Sequence, residues 1–103
     1  MLEKNIGIKE LMKECHNIAR SKGWWDDERN DGELIALMHS ELSEALEVIR
    51  SHDGSQEELA EELADCCIRI FDYCTARQID LEGALLKKIE YNKTRPYKHG
   101  KKF

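Results

Sequence analysis

The chain is expected to fold as an all-α, four-helix bundle, and three observations predict it. The only proline is Pro96, so no proline interrupts the chain before its tail. Val, Ile and Thr are too sparse and too irregularly spaced for strands. Apolar residues recur instead at steps of three and four. With 103 residues and no repeat, linker or low-complexity stretch, the whole chain reads as one domain with room for one core. A bundle this small buries few residues per helix, so self-association into a dimer or tetramer is expected to complete it.

The first helix is expected from about Ile6 to Ser21, with Ile8, Leu11, Met12, Cys15, Ile18 and Ala19 inward and Gly23 ending it. The second starts after Asn30 or Asp31, where Asn30-x-x-Glu33 resembles a capping box, and runs to about Arg50. After the turn Ser51-His-Asp-Gly54, a second box, Ser55-x-x-Glu58, opens the third helix. Its inward positions are Leu59, Leu63, Cys66, Cys67, Ile70, Phe71 and Cys74. Asp80 caps the fourth, with Leu81, Leu85, Ile89 and Tyr91 inward; it stops near Arg95 because Pro96 disfavours helix at the residue before it. Short connections make the second and third helices an αα-hairpin.

A net charge of −5 argues against general binding to nucleic acid or to an anionic membrane. The average hides a gradient. Asp26 to Asp65 is strongly acidic, whereas Lys87, Lys88, Lys93, Arg95, Lys98, Lys101 and Lys102 face only Glu90. Two accounts remain: complementarity to a metal–polyphosphate ligand, or a solvated acidic face with a basic tail from about residue 96, disordered past Gly100. Cys15, Cys66, Cys67 and Cys74 form no Cys-x-x-Cys unit and no zinc spacing, and read as reduced, mostly buried thiols. No apolar signal core occurs in Met1–Asn5 and no apolar run is long enough to span a bilayer, so a cytoplasmic protein is expected.

The chemistry lies in two pairs of acids, Glu41-Leu-Ser-Glu44 and Glu62-Leu-Ala-Asp65. A three-residue offset puts both members of a pair on one helix face. Glu41 interrupts the stripe Leu34, Met38, Ala45, Val48, and Glu62 falls between Leu59, Leu63 and Cys66. Burying carboxylates costs several kcal/mol unless a cation or proton accompanies them. Four hard oxygen donors suit Mg²⁺, with Mn²⁺ or Ca²⁺ next. With 21 acids in the chain, one such pair arises readily by chance, and from spacing alone a solvated charged face remains open. A ferritin-like di-iron site needs Glu-x-x-His, which is absent.

Glu41-x-x-Glu44 followed by Glu62-x-x-Asp65, within His39-Ser-Glu-Leu-Ser-Glu-Ala-Leu46 and Glu61-Glu-Leu-Ala-Asp65, resembles the metal-binding signature of the MazG-like all-α nucleoside triphosphate pyrophosphohydrolases. Downstream, Lys88-x-x-x-Asn92-x-x-Arg95-Pro-Tyr-Lys-His-Gly100 is similar to the Lys…Asn…Arg segment that closes the fold in many members. The resemblance implies Mg²⁺-dependent hydrolysis of a nucleoside triphosphate, of ordinary or modified base and ribo or deoxy sugar, to the monophosphate and pyrophosphate. Glu41, Glu44, Glu62 and Asp65 would be the metal ligands. Lys88 and Arg95 would act catalytically on developing phosphoryl charge, with Asn92 as a polar contact. Lys88, Asn92 and Arg95 also fit a basic helix end favoured by the macrodipole. Cys66, Cys67 and Cys74 stand where many relatives are aliphatic.

Trp24 and Trp25, adjacent in the link between the first two helices, suit a stacking surface for a base; alternatively one plugs the core and the other serves a subunit interface. His39 lies ahead of the first acidic pair and reads more simply as a satisfied core or surface histidine. The rivals to an enzyme are a non-catalytic helical interaction module and a nucleotide sensor without turnover.

Overall fold

A computed structural model of the chain describes Leu2 and residues 5–103. The amino-terminal segment Met1–Asn5 therefore falls partly outside the described residues, at Met1, Glu3 and Lys4. Among those described there are four α-helices and no strand: α1 (Ile8–Ser21), α2 (Asp31–Arg50), α3 (Gln56–Ala76) and α4 (Leu81–Lys93), followed by a 3-10 turn, Tyr97–Gly100. None of these helices is long and apolar enough to cross a membrane.

The ends of the helices follow local chemistry. The Asn30 side chain accepts from Glu33 N–H, Ser55 and Glu58 close a reciprocal capping box, and Asp80 accepts from Gly83 N–H. α1 starts two positions later than the periodicity suggests because Gly7 is extended. It ends in a Schellman turn, in which Trp24 N–H reaches Ala19 O (3.1 Å) and Gly23 N–H reaches Arg20 O (3.1 Å). Gly23 takes φ +88° there, a left-handed conformation that glycine adopts without a side-chain penalty. The α2–α3 turn needs Gly54 for another reason: a Cβ there would lie 2.0 Å from Val48 O.

α3 is the central helix, with α2 on one side and α1 on the other, while α4 is held chiefly against α1. One tie between them is Lys9 N–H to Glu82 Oε2 at 3.3 Å. The core is thin: Met12, Leu34, Ala45, Cys66 and Cys74 are its buried apolar residues. Several positions expected inward are exposed, namely Ile18, Leu63, Cys67, Leu85, Ile89 and Tyr91. For α4 the physical reason is geometric: it packs chiefly on α1, and among the described residues no element covers its other face. The tail, expected to be partly disordered, makes its turn through left-handed backbone at Lys98, His99 and Gly100, with Tyr97 and Phe103 in solvent.

Two global quantities agree with this openness. The accessible area is 8584 Å², against about 6,000 Å² for a compact monomer of this mass. The radius of gyration is 16.2 Å, against about 13 Å for a compact chain of this length.

Candidate functional site

The α2–α3 hairpin brings acids from both helices together. Glu41, Glu62 and Asp65 each offer a carboxylate oxygen, and the three oxygens lie within 4.8 Å of one another. Glu41 is only 7% exposed because it occupies a core position between Leu34 and Ala45. Its Oε1 accepts from Arg69 Nε–H at 2.8 Å. Its Oε2, like Glu62 Oε2, is buried without any hydrogen-bond partner. Such oxygens carry a large desolvation cost, and a cation placed among them removes it. An all-carboxylate donor set with two bare buried oxygens fits a hard divalent ion such as Mg²⁺. Glu44, the fourth expected ligand, is exposed and lies outside this tight group, yet it feels it: the neighbouring Glu62 and Glu41 carboxylates push its carboxyl up to about 7.

Beside the acids lies a cavity of about 340 Å³. Glu41, Asp65, Arg69 and Asp72 form its α2–α3 wall, Cys15, Ile18, Ala19 and Lys22 its α1 wall, and Trp24 and Arg29 its mouth. Acids thus face a rim of cations and an aromatic ring across one small volume. Burial pushes the Cys15 thiol up, with Asp72 adding to the effect, which disfavours its reactive thiolate form.

The two tryptophans take different roles. Trp25 is half-buried, and its Nε1–H donates to Asp72 Oδ1 (2.9 Å) and Oδ2 (3.1 Å). His16 Nδ1–H donates to the same Asp72 Oδ1 at 2.8 Å and meets the Trp25 ring edge-on, 5.6 Å between centroids. Arg29 lies over both indoles, 5.0 Å from the Trp25 centroid and 5.7 Å from that of Trp24. Arg77 lies 5.6 Å from Trp25, pairs with Asp31 at 2.7 Å and donates to Arg29 O, which ties the link to the start of α2 and the end of α3. Trp24, 62% exposed, is left at the cavity mouth.

The other expected site residues lie elsewhere in this single chain. Lys88, Asn92 and Arg95 sit at the end of α4, where Lys88 and Arg95 flank the Tyr91 ring at 4.9 and 5.5 Å, and none of the three lines the cavity. His39 is exposed. The cations beside the acids are instead Lys22, Arg29 and Arg69. Sequence reasoning passed over these residues, along with His16 and Asp72. A signal for two of them was present: Arg69 and Asp72 follow Asp65 by four and seven residues, which puts them on its helix face. No family model, curated protein or solved structure matches the chain.

Proposed function

We propose that this protein is a Mg²⁺-dependent nucleoside triphosphate pyrophosphohydrolase that works as a homo-oligomer, cleaving between the α and β phosphates. The observation that carries this reading is the pair of bare, buried oxygens, Glu41 Oε2 and Glu62 Oε2, in an acidic cluster whose Glu41 and Asp65 line a cavity together with cations and an indole. Acids without a cation are costly, and a polyphosphate without cations is equally so; a triphosphate chelating an ion satisfies both.

Glu41, Glu62 and Asp65 would hold the ion, with Glu44 completing the set as its proton leaves. A bound Mg²⁺ supplies charge neutralisation on the phosphoryl oxygens and activation of water. Trp24 offers a face on which a base can stack, and the anchored Trp25 fixes the segment that carries it. Lys88, Asn92 and Arg95 would reach the phosphates from a neighbouring subunit. An oligomer is supported by the excess exposed area and by the uncovered stripe Ile35, Leu42, Leu46 and Ile49 along α2.

The test is product analysis on a panel of ribo- and deoxyribonucleoside triphosphates with and without Mg²⁺. The expected outcome is metal-dependent release of pyrophosphate, reduced on the order of 100-fold or more in Glu41→Gln and Glu62→Gln. Mg²⁺ should also raise the melting temperature of the wild type and not of Glu41→Gln. Ion and nucleotide binding without turnover would leave a sensor; binding of neither would leave an interaction module.

A further inference from the structure

Arg69 stands where the acidic cluster and the cavity meet. Its Nε–H holds Glu41 Oε1 at 2.8 Å, while the same side chain lines the cavity with Lys22 and Arg29. A guanidinium carries five N–H donors, and among the described residues the bond to Glu41 is the one that Arg69 makes. The two ends of the pair differ in environment: the Glu41 side chain is 9% exposed and that of Arg69 36%. A guanidinium serving only as counter-ion to a carboxylate favours the two-pronged arrangement that takes both oxygens. Here it takes one oxygen side-on through Nε; Glu41 Oε2 is left bare, and Nη1 and Nη2 make no hydrogen bond among the described residues.

We propose that Arg69 is an anion-binding residue of this site, gripping phosphoryl oxygens through its Nη groups while its Nε fixes Glu41. The proposal rests on the metal-site reading above. It names a cation within the same protomer, on the same helix as Glu62 and Asp65, for a ligand that chelates the ion. Coulomb's law then sets two effects of opposite sign. The Arg69 charge opposes a bare divalent cation a few ångströms away, and it attracts the diphosphate that accompanies the cation. A residue that merely holds the helices together would move both affinities the same way.

The experiment is calorimetric titration of wild type, Arg69→Gln and Arg69→Lys, first with Mn²⁺ alone and then with inorganic pyrophosphate in saturating Mn²⁺. Gln keeps an N–H donor for Glu41 and removes the charge; Lys keeps the charge. The expected result for Arg69→Gln is Mn²⁺ binding severalfold tighter and pyrophosphate binding at least about tenfold weaker, with Lys restoring most of the anion affinity. Unchanged pyrophosphate affinity, or parallel loss of both ligands, overturns the proposal. A wild type that binds no Mn²⁺ overturns the metal reading itself, so the two failures are distinct. Should Arg69→Gln not fold, the Arg69 Nε–H resonance of the Mn²⁺-free, Mg²⁺-loaded wild type gives the answer by NMR: it shifts on adding pyrophosphate if the proposal holds, and an unmoved resonance overturns it.

Discussion

The α2–α3 hairpin and α4 are both amphipathic by sequence, yet only the hairpin finds partners for its apolar side within the chain. On α2, which packs on α3, Leu34 and Ala45 are buried, and the acid between them, Glu41, is buried with them. On α4 no residue is buried, and Leu85, Leu86, Ile89 and Tyr91 are all exposed. α2 itself repeats the contrast on its two faces, since Ile35, Leu42, Leu46 and Ile49 form an exposed stripe beside the buried one. The difference separates two roles: one apolar face builds the site, and the others stay exposed, where the proposed second subunit would dock.

The largest expected effects follow from breaking each face in turn. Leu34→Ala should cost about 2–5 kcal/mol of folding stability, because it opens a cavity in a thin core. Leu46→Glu should leave the hairpin folded and weaken self-association on the order of 100-fold, since a charge at the centre of an apolar stripe has no partner. Denaturant melts read the first, and light scattering over a concentration series reads the second. A wild type that is monomeric across that series would remove the oligomer and, with it, the delivery of Lys88 and Arg95 to the acids.

A middle effect belongs to the link between α1 and α2. Asp72 gathers His16 and Trp25 through three short hydrogen bonds, two of them from one indole N–H. Asp72→Ala leaves those donors without their acceptor in a half-buried place and should destabilise by about 1–3 kcal/mol. It should also free the indoles. In a Trp24→Phe background the Trp25 emission is expected to shift to the red, whereas Trp24, already exposed, should move little in the reciprocal background. Equal shifts for the two would mean that the tryptophans are not divided into anchor and cavity wall.

How legible all this was in the sequence depends on distance along the chain. Helix number, the caps at Asn30, Ser55 and Asp80, and the turn at Gly54 are set by residues a few positions apart, and each is found where local chemistry puts it. The convergence of Glu41 with Glu62 and Asp65 was legible because a short hairpin forces the two helices together. The inward side of α4 was not, because periodicity shows which face is apolar and not whether anything covers it. Arg69, His16 and Asp72 were missed for a related reason: their roles come from contacts between helices, Arg69 with Glu41 of α2 and Asp72 with His16 of α1 and Trp25 of the link, at separations up to 56 residues. No local pattern announces such a contact.

The smallest expected effect distinguishes the acidic hairpin from the rest of the molecule by pH alone. Glu44 is held at about 7 by the neighbouring Glu62 and Glu41, against an ordinary value of 4.5. The folded state thus keeps a proton that the unfolded chain has already lost. Where the folded state binds more protons, stability falls as pH rises. Between about pH 4.5 and 7 the metal-free protein should therefore lose stability, and above that window this contribution is absent. A divalent ion inverts the preference, because it binds the ionised carboxylates and competes with the proton. Two melting series from pH 5 to 8, one in chelator and one in excess Mg²⁺, are expected to diverge, with the Mg²⁺-induced rise in melting temperature growing toward pH 8. Glu44→Gln should flatten the chelator series and leave the caps and the Asp72 network untouched. A rise independent of pH would mean that the proton and the ion do not share the Glu41–Glu62 cluster, and would place the cation elsewhere on this acidic chain.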